Sequence, residues 1–242
     1  MWLIAEYQPV TLFSFRSGVA TSSGAKTLFL PTPFAIRTAL LDAAIRTNGL
    51  AAGCTAFDWI KGLCIAIRPP ERVVVTNLFA KILKPTRKEK NKEAMDRTIA
   101  FREYAQLEGT IALAFSPAEE RIGDLTKLLT QINYFGKRGS FIQLMAAPHI
   151  VQELPKNFLL MDGACLQATQ MSAKGSRTFV AGIIQMMDDW GGTLTFTKAN
   201  IYTDERIVLG KDRVRKSVVL PYRLIRSSKG FSYYERVETP SN

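Results

Sequence analysis

The stretch of residues 110–145, TIALAFSPAEERIGDLTKLLTQINYFGKRGSFIQLM, reads as strand, helix, glycine-containing turn and strand. Residues 110–115 form an apolar run of strand length. Ser116-Pro117-Ala118-Glu119 then has capping-box spacing with proline at the first helical position: the hydroxyl accepts from an orphan amide, the glutamate reaches back, and proline lacks only an N–H that would go unpaired. Ile122, Leu125, Leu128, Leu129 and Ile132 fall on one side of the helix so opened. Gly123 weakens it, which leaves Asp124 as a cap for a shorter version. Asn133-Tyr134-Phe135-Gly136-Lys137-Arg138-Gly139-Ser140 ends the helix and passes straight into the apolar run of residues 141–145.

Upstream the same grammar occurs once more. Residues 3–15 are rich in Leu, Ile, Val, Tyr and Phe and read as a strand, with Pro9 at an edge or bulge. A small-residue stretch with two glycines, 17–26, separates it from the clearest helix start in the chain: Thr32 as N-cap, Pro33 at the first helical position, and Ile36, Leu40, Ala44 and Ile45 on one face. That helix is expected to end near Asn48-Gly49, with a second helical stretch over 51–60. Residues 63–83 are apolar and β-branched, broken at Arg68-Pro69-Pro70, and read as two strands. The order is βαββαβ: an α+β, ferredoxin-like (RRM-like) arrangement, whose antiparallel sheet carries both helices on one face. After Pro148 short runs separated by turn residues (179–187, 192–196, 206–209, 214–225 and 231–237) read as strands. Gly191-Gly192 and Ser228-Lys229-Gly230 read as hairpin turns. The expected division is a ferredoxin-like domain over 1–147 and a smaller β-rich extension over 148–242.

The 242 residues include 32 Lys+Arg against 21 Asp+Glu, a net charge of +11, and 47% are apolar. That apolar share excludes a disordered basic tail. No apolar run reaches the roughly 18 residues that span a bilayer, and the N-terminus lacks a basic n-region and cleavage site, so a soluble cytoplasmic protein without membrane partners is expected. Three cysteines, Cys54, Cys64 and Cys165, form no CxxC pair and read as small apolar residues. The single histidine, His149, excludes a metal site built on several histidines. It has no orienting partner nearby in sequence and reads as structural or surface. Asp188-Asp189 precedes Trp190-Gly191-Gly192 and reads as turn chemistry. No catalytic residue, metal ligand or cofactor is expected.

The positive surplus is the footprint of a polyanion binder, and it is concentrated. Residues 81–104 hold eight basic residues against four acidic ones, inserted between two strands. They read either as a solvated hairpin or as an arm that tracks a phosphodiester backbone. Phe101 and Tyr104 at its base would stack on bases or anchor it, and anchoring is the better reading. The Gly136-Lys137-Arg138-Gly139 turn reads as a phosphate cradle or as an ordinary helix-to-strand turn; it lacks GxxxxGK[ST] and follows a helix, so it is not a P-loop. A second basic cluster, Arg206, Lys211, Arg213, Arg215 and Lys216, continues through Arg223, Arg226 and Lys229. It makes either a basic stripe or a solvated edge.

The opening strand and glycine loop, Leu30-Pro31-Thr32-Pro33-Phe34 opening an amphipathic helix, the basic insertion before Arg102-Glu103-Tyr104, the strand over 110–115 and the Asn133–Ser140 turn together resemble the RAMP-superfamily subunits of CRISPR effector complexes. The likeness is to the subunit that holds the five-prime handle of CRISPR RNA in type I (Cascade-like) complexes, and it covers about residues 1–145. It implies a ferredoxin-like core with a projecting thumb, here about 81–104, and a non-catalytic role in antiviral defence. The implied partners are CRISPR RNA, a neighbouring backbone subunit and the large subunit, with target DNA as a further candidate. In this family basic and polar residues of the thumb, the first-helix region and the glycine turn bind the handle. The matching positions are Arg87, Lys88, Arg97 and Arg102 in the thumb, Lys26 and Arg37 around the first helix, and Gly136, Lys137, Arg138 and Gly139 in the turn. Some such subunits cut precursor RNA, so a metal-independent endoribonuclease is the alternative, with His149 or a Tyr and Lys pair serving.

Overall fold

A computed structural model of the protein describes residues 1–18, 24–85, 95–161, 182–200 and 203–237. In chain order its elements are β1 (Trp2–Pro9), β2 (Phe15–Arg16), β3 (Gly24–Ala25), β4 (Thr27–Leu28), α1 (Pro33–Gly62), β5 (Cys64–Arg68), β6 (Arg72–Pro85), β7 (Met95–Glu108), β8 (Ile111–Ser116) and α2 (Ile122–Thr130). After them come β9 (Ile142–Leu144), β10 (His149–Val151), β11 (Leu159–Leu160), β12 (Ile183–Trp190), α3 (Phe196–Ala199), β13 (Arg213–Leu220), β14 (Tyr222–Ser227) and β15 (Phe231–Arg236). The fold is α+β with mostly antiparallel sheets.

The first sheet runs β10-β1-β8-β5-β11, and β9 also pairs with β1. Period-two alternation sorts its two faces. Leu3, Ala5 and Tyr7 of β1 lie opposite Phe115, Leu113 and Ile111 of β8, and all join the main core with α1 and α2. Ile4, Ala66, Ala112 and Ala114 point the other way, where small side chains leave room for Phe158 to cover them. Tyr7 pins the sheet to the second helix: its buried hydroxyl donates to the Leu129 carbonyl at 2.8 Å, and burial raises its pKa.

Helix α1 starts as its sequence specifies, with Thr32 Oγ1 accepting from the Ala35 amide at 3.2 Å and Pro33 in the first turn. Gly49 (φ 82°, ψ 175°) breaks it into two helical halves, a conformation that only glycine adopts without strain. Helix α2 departs from expectation. Ser116 belongs to β8, residues Glu119–Arg121 form a 3₁₀ turn with no side-chain cap, and the α-helix begins at Ile122.

The basic insertion is a long antiparallel ribbon of β6 and β7, paired from Arg72↔Glu108 to Pro85↔Met95. Its tip, residues 86–94, lies outside the described residues. One face begins in the core with Val73, Val75, Ala105 and Leu107 and continues outward as exposed Phe79, Leu83, Ile99 and Phe101. The ribbon belongs to a second sheet, β14-β15-β6-β7-β3, so the C-terminal hairpin is stitched onto the base of the arm. Met187, Trp190, Leu194, Leu220 and Tyr222 share the main core with β1 and α1.

The later half corrects several readings. Gly191-Gly192 is not a hairpin turn: β12 and β13 pair, but residues 191–212 with α3 connect them. Residues 206–209 form no strand beyond the Leu209↔Arg213 bridge, and 214–225 split at Pro221 into β13 and β14. The Ser228–Gly230 hairpin turn is present, with the Ser228 amide donating to the Phe231 carbonyl at 2.8 Å. Cys64 is disulfide-bonded, contrary to its reading as a small apolar thiol, because a pairing made by tertiary approach leaves no mark in local spacing.

Candidate nucleic-acid interface

The glycine turn is built by two positive-φ residues, Gly136 (68°) and Gly139 (96°), which let the chain reverse between Tyr134 and Phe141. It is held from outside by Thr11, whose hydroxyl donates to the Gly139 carbonyl and accepts from the Phe141 amide, each at 2.8 Å. Lys137 and Arg138 at its crest are exposed. Lys137 Nζ stands 5.8 Å from the ring centroid of Tyr104 at the base of the ribbon.

This turn forms one wall of an open groove of about 510 Å³. The first turns of α1 supply Thr32, Phe34, Thr38 and Asp42; β2 supplies Phe15 and Arg16; the β12–β13 pair supplies Asp188 and Arg213. Four cations, Arg16, Lys137, Arg138 and Arg213, and two carboxylates, Asp42 and Asp188, line it. Asp188 is paired with Arg213. Aromatic Phe15, Phe34 and Tyr134 line the same groove.

The segment that carries Arg213 is fixed by its neighbour Asp212, whose carboxylate accepts from Thr193 Oγ1 at 2.7 Å, from the Val208 amide at 2.9 Å and from Lys198 Nζ at 2.9 Å. These bonds, the Thr193 hydroxyl first, hold its pKa down to about 2. Asp188 and Asp189 end a strand and do not make a turn. They are buried because each meets an arginine: Asp188 takes Arg213, and Asp189 takes Arg37 at 2.8 Å.

The expected RNA-binding positions scatter by element. Gly136, Lys137, Arg138 and Gly139 form the turn itself, with Gly136, Lys137 and Arg138 on the groove wall. Lys26 is exposed between β3 and β4, beside Arg102, because Ala25 pairs with Arg102. Arg97 is exposed further out on the ribbon, opposite Leu83. Arg87 and Lys88 lie outside the described residues. Arg37 is a correction. It is 2% exposed, and besides Asp189 it donates to the Ile60 carbonyl at 2.6 Å. Its place on the inner face of α1 turns the guanidinium into the core.

Sequence reasoning missed Arg16, Phe34 and Tyr134 as groove residues and read Arg213 as part of a basic stripe or a solvated edge. Tyr134 had a local signal, an aromatic directly before the glycine turn. Arg16 and Arg213 had none, since both reach the groove through tertiary packing. Phe101 and Tyr104, read together as anchors, separate: Phe101 is exposed edge-to-face against Phe79, while Tyr104 is half-buried beneath Lys137. His149 is exposed on β10. Among the described residues no cluster of His, Cys, Asp or Glu is arranged to hold a metal ion, and no helix is long and apolar enough to cross a membrane.

Comparison with known proteins finds similarity to a CRISPR-associated protein. The relative is the CRISPR-associated protein Cas5 of Archaeoglobus fulgidus, 28% identical over 148 residues, which cover 61% of this chain. The match spans 64% of that relative, less than two thirds of its length. A crystal structure of a CRISPR protein from Archaeoglobus fulgidus aligns over 98% of this chain and 92% of that one, at 12% identity and a TM-score of 0.43. No family model matches the sequence.

Proposed function

We propose that this chain is a non-catalytic RNA-binding subunit that caps the five-prime handle of CRISPR RNA in a multisubunit surveillance complex of antiviral defence. The observation that carries the reading is the groove, where the glycine turn, the start of α1 and the β12–β13 pair converge with four cations and three aromatic rings. Phosphates would be held by Lys137 and Arg138, and unstacked bases by the aromatic floor. A ferredoxin-like core is supported by the antiparallel strand order β9-β1-β8-β5 and by both helices joining one core. The exposed Phe79, Leu83, Ile99 and Phe101 along the ribbon suit a protein partner, which we take to be the neighbouring backbone subunit. The large subunit, and target DNA beyond it, would then meet the core.

The test is recovery of RNA: the protein expressed with its partners should co-purify with small RNA of one defined five-prime sequence. Neutralising Lys137 and Arg138 together should weaken binding and flatten the slope of log affinity against log salt by about 1.4, at roughly 0.7 per phosphate contact on a single strand. Absence of bound RNA, or an unchanged slope, would count against the groove. The endoribonuclease reading keeps one observation in its favour, the Lys137–Tyr104 pair, which would supply a Tyr and a Lys at one site. Incubation with repeat RNA in EDTA separates the two, since only the enzyme makes a cut at a fixed position.

A further inference from the structure

We propose that Phe34 and Arg213 form a stacking platform for one unpaired nucleobase, a contact that rests on the RNA-binding reading above. Phe34 is the second residue of α1 and half-buried, and its ring lines the groove. The guanidinium carbon of Arg213, the first residue of β13, stands 4.2 Å from the centroid of that ring. This is close layering of a planar cation on an aromatic face.

Asp188 holds the arginine there. Its Oδ2 accepts from both Nε and Nη2 of Arg213, and the carboxylate side chain is only 8% exposed. A guanidinium gripped on that edge by a buried carboxylate is fixed in plane and has its charge balanced. It is therefore poorly suited to releasing counterions from a phosphate. What remains is a flat, polarisable surface on the wall of a 510 Å³ groove, a size within the range of sites that take small planar ligands. Lys137 and Arg138, on the glycine turn, line the same groove and take the phosphate role. Base stacking on such a surface depends on the π-face that every base has, so the platform orders a nucleotide without reading its identity.

The two contacts must then give different salt signatures. The probe is a single-stranded RNA oligonucleotide carrying the fluorescent base aminopurine at one position at a time, titrated over a range of salt. With the parent protein, one position should be strongly quenched. Phe34→Leu keeps the apolar volume and removes the ring that backs the guanidinium; it should restore much of that fluorescence and weaken affinity about tenfold, with the salt slope unchanged. The pair Asp188→Asn with Arg213→Gln removes both charges of the ion pair together and should act the same way, and it serves if the leucine variant does not fold. Equal affinity and equal quenching in both variants would refute the platform while leaving the RNA reading intact. A loss of affinity that comes with a flatter slope would also refute it, since the contact would then be electrostatic. If the parent protein binds no single-stranded RNA at all, the platform and the underlying reading fall together.

Discussion

Replacing Arg37 by alanine should destabilise the protein severely and leave the groove chemistry of whatever stays folded unchanged. The side chain is 2% exposed, so its loss opens no RNA-facing surface. It leaves Asp189, 5% exposed, as a buried carboxylate whose partner at 2.8 Å is gone, and it takes a donor from the Ile60 carbonyl. Removing one member of a buried ion pair costs about 3–5 kcal/mol, because the remaining charge keeps its desolvation penalty without the compensating attraction. In a chain of this size each kcal/mol moves the melting temperature by about 2–4 °C, so a fall of about 6–20 °C is expected. The double variant Arg37→Met with Asp189→Leu removes both charges and should regain most of that loss. About 1 kcal/mol should stay lost, because the Trp190 amide loses the Asp189 oxygen it donates to at 2.8 Å. Thermal unfolding followed by circular dichroism, with RNA titration of each folded variant, reads both effects. The reasoning is refuted if Arg37→Ala melts within about 2 °C of the parent, the range of an ordinary surface change, and loses RNA affinity instead.

Three further outcomes are expected. Asp212 is held down to about 2 from an ordinary carboxyl value near 3.8, so the unfolded chain takes up the proton first. Its stabilisation is complete above about pH 4 and is lost as pH falls through about 2, and Asp212→Asn should show a smaller drop in melting temperature between those limits. At Gly191 an added Cβ would lie 1.7 Å from the Lys211 carbonyl oxygen, so Gly191→Ala should cost at least the roughly 1–3 kcal/mol of ordinary overpacking, read as a lower denaturant midpoint at unchanged m. Phe79 and Phe101 are 54% and 59% exposed and touch edge-to-face, so changing both to serine should cost the isolated chain no more than about 1 kcal/mol. If that face meets the subunit proposed above, the same change should abolish co-purification with it; retained co-purification would remove the partner role from that face.

Much of the framework was legible because its signals are short-range. Thr32 and Pro33 start α1 through contacts within one turn, Gly49 interrupts it through its own φ, and Gly136 and Gly139 make the turn whose crest presents Lys137 and Arg138. The basic insertion was legible as a composition step, but its apolar outer face was not. Phe79, Leu83, Ile99 and Phe101 become a stripe only when the β6–β7 register puts them on one side. The capping box at Ser116 failed because a strand claimed that residue first: Ser116 pairs with Cys64 in the first sheet.

The α+β character, the order of the early elements, the concentration of positive charge and the glycine turn all depend on neighbours a few residues apart and are legible in the primary structure. Which cations face outward depends instead on long-range packing. Arg37 and Arg213 look alike in the sequence, yet the first is drawn into the core by Asp189, 152 residues away, while the second is laid over Phe34 at the groove by Asp188. Desolvation makes that choice: a buried carboxylate must capture a guanidinium, and which one it captures depends on what the folded chain brings within reach.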